Sequence, residues 1–239
     1  MKPDKPAPLD AKELVWEFFR RKHEGFFAEV GANHPTEGSQ TWLLEQNGWR
    51  GLLVEPQEKY FLLLKASRPN SVVIRAACSC PGKVGIAQLH IPEEELEGFA
   101  TLKRNVDDHG IMYRRIEHVE ARTLDSLLEE AGSPKVDFLS VDTEGTELDV
   151  LQGFDLQRHQ PGLVLIEDKG QSLTKHRHLR AHGYKLVKRT ELNNWYVPVA
   201  TTFRMTTPLE RLMLWRKVFL GMPFRRFRHW RHHRDRQGS

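Results

Sequence analysis

At 239 residues, with 39% hydrophobic side chains and six Trp, the chain can bury one substantial core, which excludes a globally disordered protein. No stretch is long and apolar enough to span a bilayer, and the start, MKPDKPAPLDAKE, lacks the apolar core of a signal peptide. The net charge of +4 is unevenly placed: from Arg204 onward ten Lys/Arg face two acidic residues, which leaves −4 elsewhere and excludes a nucleic-acid surface spread over the whole molecule.

In chain order, Asp10 and Glu13 have the spacing of a capping box, predicting a helix through about Arg21. Strand Phe26–Val30 follows, then a small-residue turn at Gly31-Ala32-Asn33, helix Ser39–Asn47 and strand Gly51–Glu55. A helix over Gln57–Ser67 leads to strand Ser71–Ala76, and Val84–Ile91 reads as a further strand or hairpin arm. The segment Glu93–Val119 has weak periodicity and is expected to be loop-rich, with mobility over a site. Helix Leu124–Ala131, strand Val136–Val141 and helix Glu147–Gly153, stopped by its glycine, come next. Strand Leu163–Ile166, helix Thr174–His182 and two late strands, Tyr184–Lys188 and Trp195–Val199, complete the alternation, the last two joined as a hairpin through Glu191–Asn194. Strands alternating with helices predict a largely parallel α/β sheet over residues 1–200, helix 10–21 included, with 201–239 as a basic extension. Cys78 and Cys80 stand two residues apart, poor spacing for a disulfide and too few for zinc, so a reducing cytoplasm is expected.

Such sheets hold ligands at the carboxyl ends of their strands, and the acidic residues of this chain gather there. Glu29 ends the first strand; Gly31, Ala32 and Asn33 form the turn that lets backbone approach a ligand. A dinucleotide fold would prefer G-x-G-x-x-G, whereas here the turn is G-A-N-H-P-T-E-G, without the second glycine and with Pro35 removing a donor. Glu29 suits a cationic amino-acid end better than a diphosphate. Glu55 closes the second strand, where a carboxylate accepts hydrogen bonds from a ribose diol. Asp142, Glu144 and Glu147 lie in VDTEGTELDVL, with Glu147 expected to cap the following helix, and Glu167-Asp168 closes the neighbouring strand. Acids at adjacent strand ends can hold a divalent cation, position a hydroxyl or bind an ammonium group; the cation is the less favoured use and no metal ligand is assigned. Solvated turn acids are the bland alternative. His34 adjoins the glycine turn and is a candidate base, though a lone loop histidine is more often not catalytic. His176, His178 and His182 read as solvated on a polar helix. Cys78 follows the third strand, where an adenine ring would lie, or is simply a buried small residue.

Together the segments FAEVGAN, GWRGLLVEP, the strand leading to Ala76-Ala77, TLDSLL, DFLSVDTEGTELDVLQGFD and VLIEDKG resemble the FkbM-type methyltransferases, S-adenosylmethionine-dependent O-methyltransferases, in the expected order over roughly residues 26 to 190. The resemblance implies a Rossmann-like class I methyltransferase sheet of seven strands, mostly parallel with one antiparallel strand near an edge, and helices on both faces. It implies S-adenosylmethionine as cofactor, with Glu29, Gly31, Ala32 and Asn33 at its methionine end, Glu55 at the ribose, and Ala77 and Cys78 by the adenine. Asp142 would face the methyl-transfer side. The acceptor it favours is a sugar hydroxyl, in a small molecule or glycan. The sequence departs from the family where Glu29 replaces the usual Asp and Pro35 stands near a usual glycine, and the loop His34–Gly38 is longer than expected. Methyl transfer from a sulfonium needs in-line alignment, and an alcohol nucleophile benefits from a base. Asp142, Glu167 and His34 are the candidates, in that order. An NAD-type oxidoreductase and a non-catalytic, membrane-associated adaptor are the alternative readings.

After Pro208, Leu212, Trp215, Phe219 and Met222 recur as one helical stripe, Pro223 ends it, and Phe224, Phe227 and Trp230 are interleaved with arginines. Docking of this helix on the body is the first expectation. Contact with an anionic membrane surface through 209–236 is the second, which would place the protein at the membrane periphery. Single-stranded nucleic acid is a distant third.

Overall fold

Runs such as FFAEV, GLLV, FLSV and LVLIE are apolar on both sides of the backbone, which suits strands covered by helices on both faces. In the structure, a computed structural model that describes residues 10–102, 112–170 and 172–221, they form the centre of a seven-stranded sheet. Its strands are β1 (Phe26–Val30), β2 (Arg50–Val54), β3 (Ser71–Ile74), β7 (Phe138–Val141), β8 (Leu163–Glu167), β9 (Tyr184–Thr190) and β10 (Asn193–Pro198), in the order β3-β2-β1-β7-β8-β10-β9. All neighbours are parallel except β10, which runs antiparallel to both β8 and β9.

The alternation of side chains along each strand divides the core. Ala28, Val30, Leu52 and Val54 pack with α4 (Leu124–Glu130), α5 (Glu147–Gln152), the short α6 (Leu156–His159) and α7 (Thr174–Ala181). Phe27, Leu53, Phe138 and Leu165 pack with α1 (Ala11–Phe18), α2 (Trp42–Gln46) and α3 (Glu58–Ser67) on the other face. The Asp10–Glu13 capping box is formed, but α1 stops at Phe18 rather than Arg21, because Arg20 and Arg21 adopt positive φ and turn the chain towards β1.

A second sheet corrects the expectation of a loop-rich Glu93–Val119. Tyr113–Arg122 is strand β6, which pairs antiparallel with β5 (Gly85–Pro92) and parallel with the two-residue β4 (Ala77–Cys78). Leu89, Ile91, Val119 and Ala121 give this sheet its own small core. A 3-10 segment, Glu94–Phe99, crosses the end of the main sheet between these strands. Part of the expected loop, 103–111, lies outside the described residues, as do Met222 and the arginine-rich 223–239.

Helix α8 (Pro208–Trp215) begins at a second capping box, Thr207 with Glu210, and continues into a wide π turn over Arg216–Leu220. The expected single stripe is divided here. Trp215 and Phe219 line a cleft against β9 and α7, whereas Leu212 is 56% exposed. Among the described residues no helix is long and apolar enough to cross a membrane. Both cysteines are free.

Candidate active site

A cavity of about 300 Å³ opens at the carboxyl ends of β1, β2 and β7, roofed by the 3-10 segment through Gly98, Phe99 and Ala100. The first strand delivers Gly31 to it with φ +75°. The Gly31 and Ala32 amides both donate to the Val54 carbonyl, and the Asp142 amide donates to the Val30 carbonyl, so three strand ends are tied together at this turn. A Cβ on Gly31 would fall 1.7 Å from the Asp142 carbonyl oxygen, so only glycine permits this approach. Asn33 is left-handed, with φ 48°, and its side chain donates to the Gly98 carbonyl at 3.3 Å, joining the turn to the roof.

Glu55 is buried on the cavity wall. Its carboxylate accepts the Asn33 amide at 2.8 Å and the Gln57 amide at 2.8 Å, one at each oxygen. Burial nevertheless pushes its pKa up to about 7, with nearby Glu117 adding to the rise and the two amides opposing it. Each oxygen keeps an accepting lone pair, as a diol would require.

Glu29 also lines the cavity, but its carboxylate is already engaged with the loop above it. Oε2 accepts from Ser39 Oγ at 3.0 Å and Thr41 Oγ1 at 2.5 Å, and Oε1 accepts the Gln40 amide at 2.9 Å. Behind these hydroxyls lies Arg68, itself fully buried, donating to Thr41, Ser39, the Pro35 carbonyl and Glu45. Burial raises the pKa of Glu29, and the positive Arg68 is the largest influence against that rise. Its place is therefore to hold the loop 35–41 in register over the turn. Sequence reasoning missed Arg68 and Ser39–Thr41, because nothing local marks a contact that spans so many residues.

On the far side, the carboxylate oxygens of Asp142, Glu144 and Glu167 converge within 4.8 Å of one another. Asp142 is open to solvent at the cleft, yet crowding by the surrounding walls and then the negative charge of Glu167, Glu144 and Glu147 hold its carboxyl well above the ordinary carboxylate range. Glu167 is raised to about 7, by burial first and then by Glu144. Lys169 donates to Glu144 at 2.7 Å; Lys175 donates to Glu147 at 3.0 Å and to the Glu167 carbonyl at 2.6 Å. These two lysines offset part of the charge of the four acids, and the three converging carboxylates could also hold a cation. Glu147 also accepts the Gly145 amide at 2.7 Å; as the first residue of α5 it closes the turn before the helix, and the cap expected on the helix's own first amides is not formed.

Ala77 and Cys78 are buried on the wall beyond Glu55, and burial pushes the Cys78 thiol pKa up, leaving it a neutral apolar surface. His34 is not brought to the others. It is absent from the cavity lining, and its Nδ1 accepts the Glu37 amide at 3.0 Å, capping its own loop. Two residues that the sequence reading gave no place at the site line the cavity with buried polar atoms that have no hydrogen-bond partner among the described residues: Gln40 Oε1 and Gln57 Nε2. An unpaired acceptor and an unpaired donor, the Glu55 carboxylate and an apolar wall fit a ligand carrying an ammonium, ribose hydroxyls and an adenine ring.

Comparison with known proteins bears on the same region. The Methyltransferase FkbM domain matches residues 29–186, more than half of the chain. No curated protein is similar enough to count as a relative. Among solved structures, a precorrin-6Y C5,15-methyltransferase from Geobacter metallireducens aligns at 14% identity and a TM-score of 0.41, over 78% of this chain and 85% of that one. The methyltransferase domain of METTL16 aligns at 12% identity and a TM-score of 0.42, over 77% and 64%. At such scores neither likeness bears on the chemistry of the site. The matched residues 29–186 run from the first acidic strand end through both walls of the cavity, and the chain accordingly belongs to the FkbM methyltransferase family, as an S-adenosylmethionine-dependent methyltransferase.

Proposed function

We propose that the protein methylates a hydroxyl, with a sugar or glycan-type molecule as acceptor. The observation that carries this reading is the Asp142 carboxyl on the cavity lining with the buried Glu167 beside it, their oxygens converging within 4.8 Å and both held above the usual range by burial and neighbouring negative charge. Glu167, raised to about 7, stands between its two protonation states near neutral pH, and a carboxylate beside the acceptor can take the proton that an alcohol nucleophile must lose. The neighbouring acids also offer acceptors for a polyhydroxylated molecule.

When bound, S-adenosylmethionine supplies an electrophilic methyl group. The residues of this chain divide the remaining work. Gly31, Ala32 and Asn33, with the Gln40 side-chain Oε1, would hold the methionine end; Glu29 secures the loop that carries Gln40. Glu55 and Gln57 would hold the ribose, and Ala77 and Cys78 would face the adenine. Asp142 would orient the acceptor hydroxyl and take its proton, which Glu167 then shares. Catalysis is mainly alignment, with the base adding to it.

Calorimetry with S-adenosylhomocysteine and NAD side by side tests the cofactor, and labelled methyl transfer to a panel of sugars, simple alcohols and amines tests the acceptor. Binding of S-adenosylhomocysteine but not NAD is expected, with label on sugar hydroxyls. NAD binding alone, or label confined to amines, would overturn the reading.

A further inference from the structure

The C-terminal helix has two apolar faces. The inner one is occupied: Val218 is buried, Phe219 lies edge-on to His176 with ring centroids 5.1 Å apart, and Arg211 donates to the Phe203 carbonyl at 2.8 Å. The outer one is bare. Leu209, Leu212, Met213 and Leu220 are 65%, 56%, 59% and 52% exposed, at spacings that put them on one side of the helix. Arg216 and Lys217, both exposed, sit among them. The chain beyond adds six arginines and three histidines against one aspartate over residues 222–239.

We propose that this outer face is a docking surface for an anionic phospholipid bilayer. Four large apolar side chains in a row need an apolar phase, and the bases around and after them need negative charge beside it. A bilayer carrying anionic headgroups supplies both at the right depth, with aliphatic side chains below the phosphates and Arg216 and Lys217 at their level. Nucleic acid would supply the phosphates without an apolar phase. A second copy packed face to face would bring its own Arg216 and Lys217 against these two, a repulsive pairing. The inner face keeps the helix on the body while the outer face is engaged, so the catalytic domain would be held at the surface without unfolding any element.

Co-sedimentation of the full chain with vesicles of phosphatidylcholine alone, and of phosphatidylcholine with phosphatidylserine, tests this. Binding is expected to the mixed vesicles, weakening as salt is raised, and little to the neutral ones. The variant Leu212→Ser/Met213→Ser/Leu220→Ser should bind at least about tenfold more weakly, because each buried aliphatic side chain contributes substantially to insertion. These side chains are already exposed, so its melting temperature and its S-adenosylhomocysteine affinity should match the parent. Arg216→Glu/Lys217→Glu should weaken binding and flatten its salt dependence. No vesicle binding at low salt, or undiminished binding by the apolar variant, would overturn the proposal. So would capture of single-stranded RNA without vesicle binding, or a dimer abolished by the apolar variant in the absence of vesicle binding.

Discussion

Glu55 and Asp142 stand on opposite walls of one cavity, and the structure separates their expected effects. Glu55 accepts two amides that shape the turn and would accept the ribose as well. Glu55→Ala should weaken S-adenosylhomocysteine by about 1.5–3 kcal/mol, roughly tenfold or more, as measured by calorimetry. An unaltered affinity in a folded variant would remove Glu55 from the cofactor site. In the proposed function Asp142 would turn its carboxyl to the acceptor, while its backbone is tied to the glycine turn. Asp142→Asn preserves that backbone, so cofactor affinity should persist while turnover falls about 10²–10⁴-fold in steady-state assays. A near-normal rate would leave alignment as the whole of catalysis. Both acids could be picked from the sequence, because each closes an apolar strand. Gln40 and Gln57 could not, since an unpaired amide is recognised only once its surroundings are known.

At the level of elements, the loop 35–41 is held by a buried polar cluster rather than by apolar packing. Arg68 donates from the end of α3 into this loop and to Glu45 of α2, and its guanidinium lies over the Phe27 ring at 5.8 Å. Arg68→Met should cost about 3–5 kcal/mol in chemical denaturation, since it leaves Glu29 and Glu45 buried without their cation. It should also loosen cofactor binding, although Arg68 does not line the cavity. Stability within about 1 kcal/mol of the parent would show the cluster to be dispensable. The strands of the main sheet were legible because FFAEV or GLLV is apolar on both faces. Strand β6 was not: YRRIEHVEAR shows solvent a nearly continuous charged face, and only Val119 and Ala121 turn fully inward. Its pairing with β5 depends on register across the gap between them, which no local pattern carries. Four-residue α6 was likewise too short for a period to declare itself.

For the whole molecule, the raised acids make stability depend on pH. Glu55 and Glu167 keep their protons up to about 7 in the folded state, against an ordinary value of 4.5. The folded state therefore binds more protons in this window, and the stability they contribute below 4.5 is lost as pH rises through about 7. Glu167→Gln, always neutral, should match the parent at about pH 5 and melt at a higher temperature than it at about pH 8, read by thermal melts without cofactor. Equal melting temperatures at both would show that Glu167 ionises without penalty. The topology has a different consequence, in time rather than in energy. Strand β1 is flanked by β2, close behind it in sequence, and by β7, where Phe27 pairs with Phe138. On a ribosome adding about 5–20 residues per second, the central strand waits several seconds with one edge unpaired. The pocket has no second wall until that partner emerges, so the cofactor cannot template the early half of the chain. Closing this distant pairing carries a loop-closure cost, which predicts slow, non-local folding and leaves the nascent edge open to wrong pairing until β7 arrives.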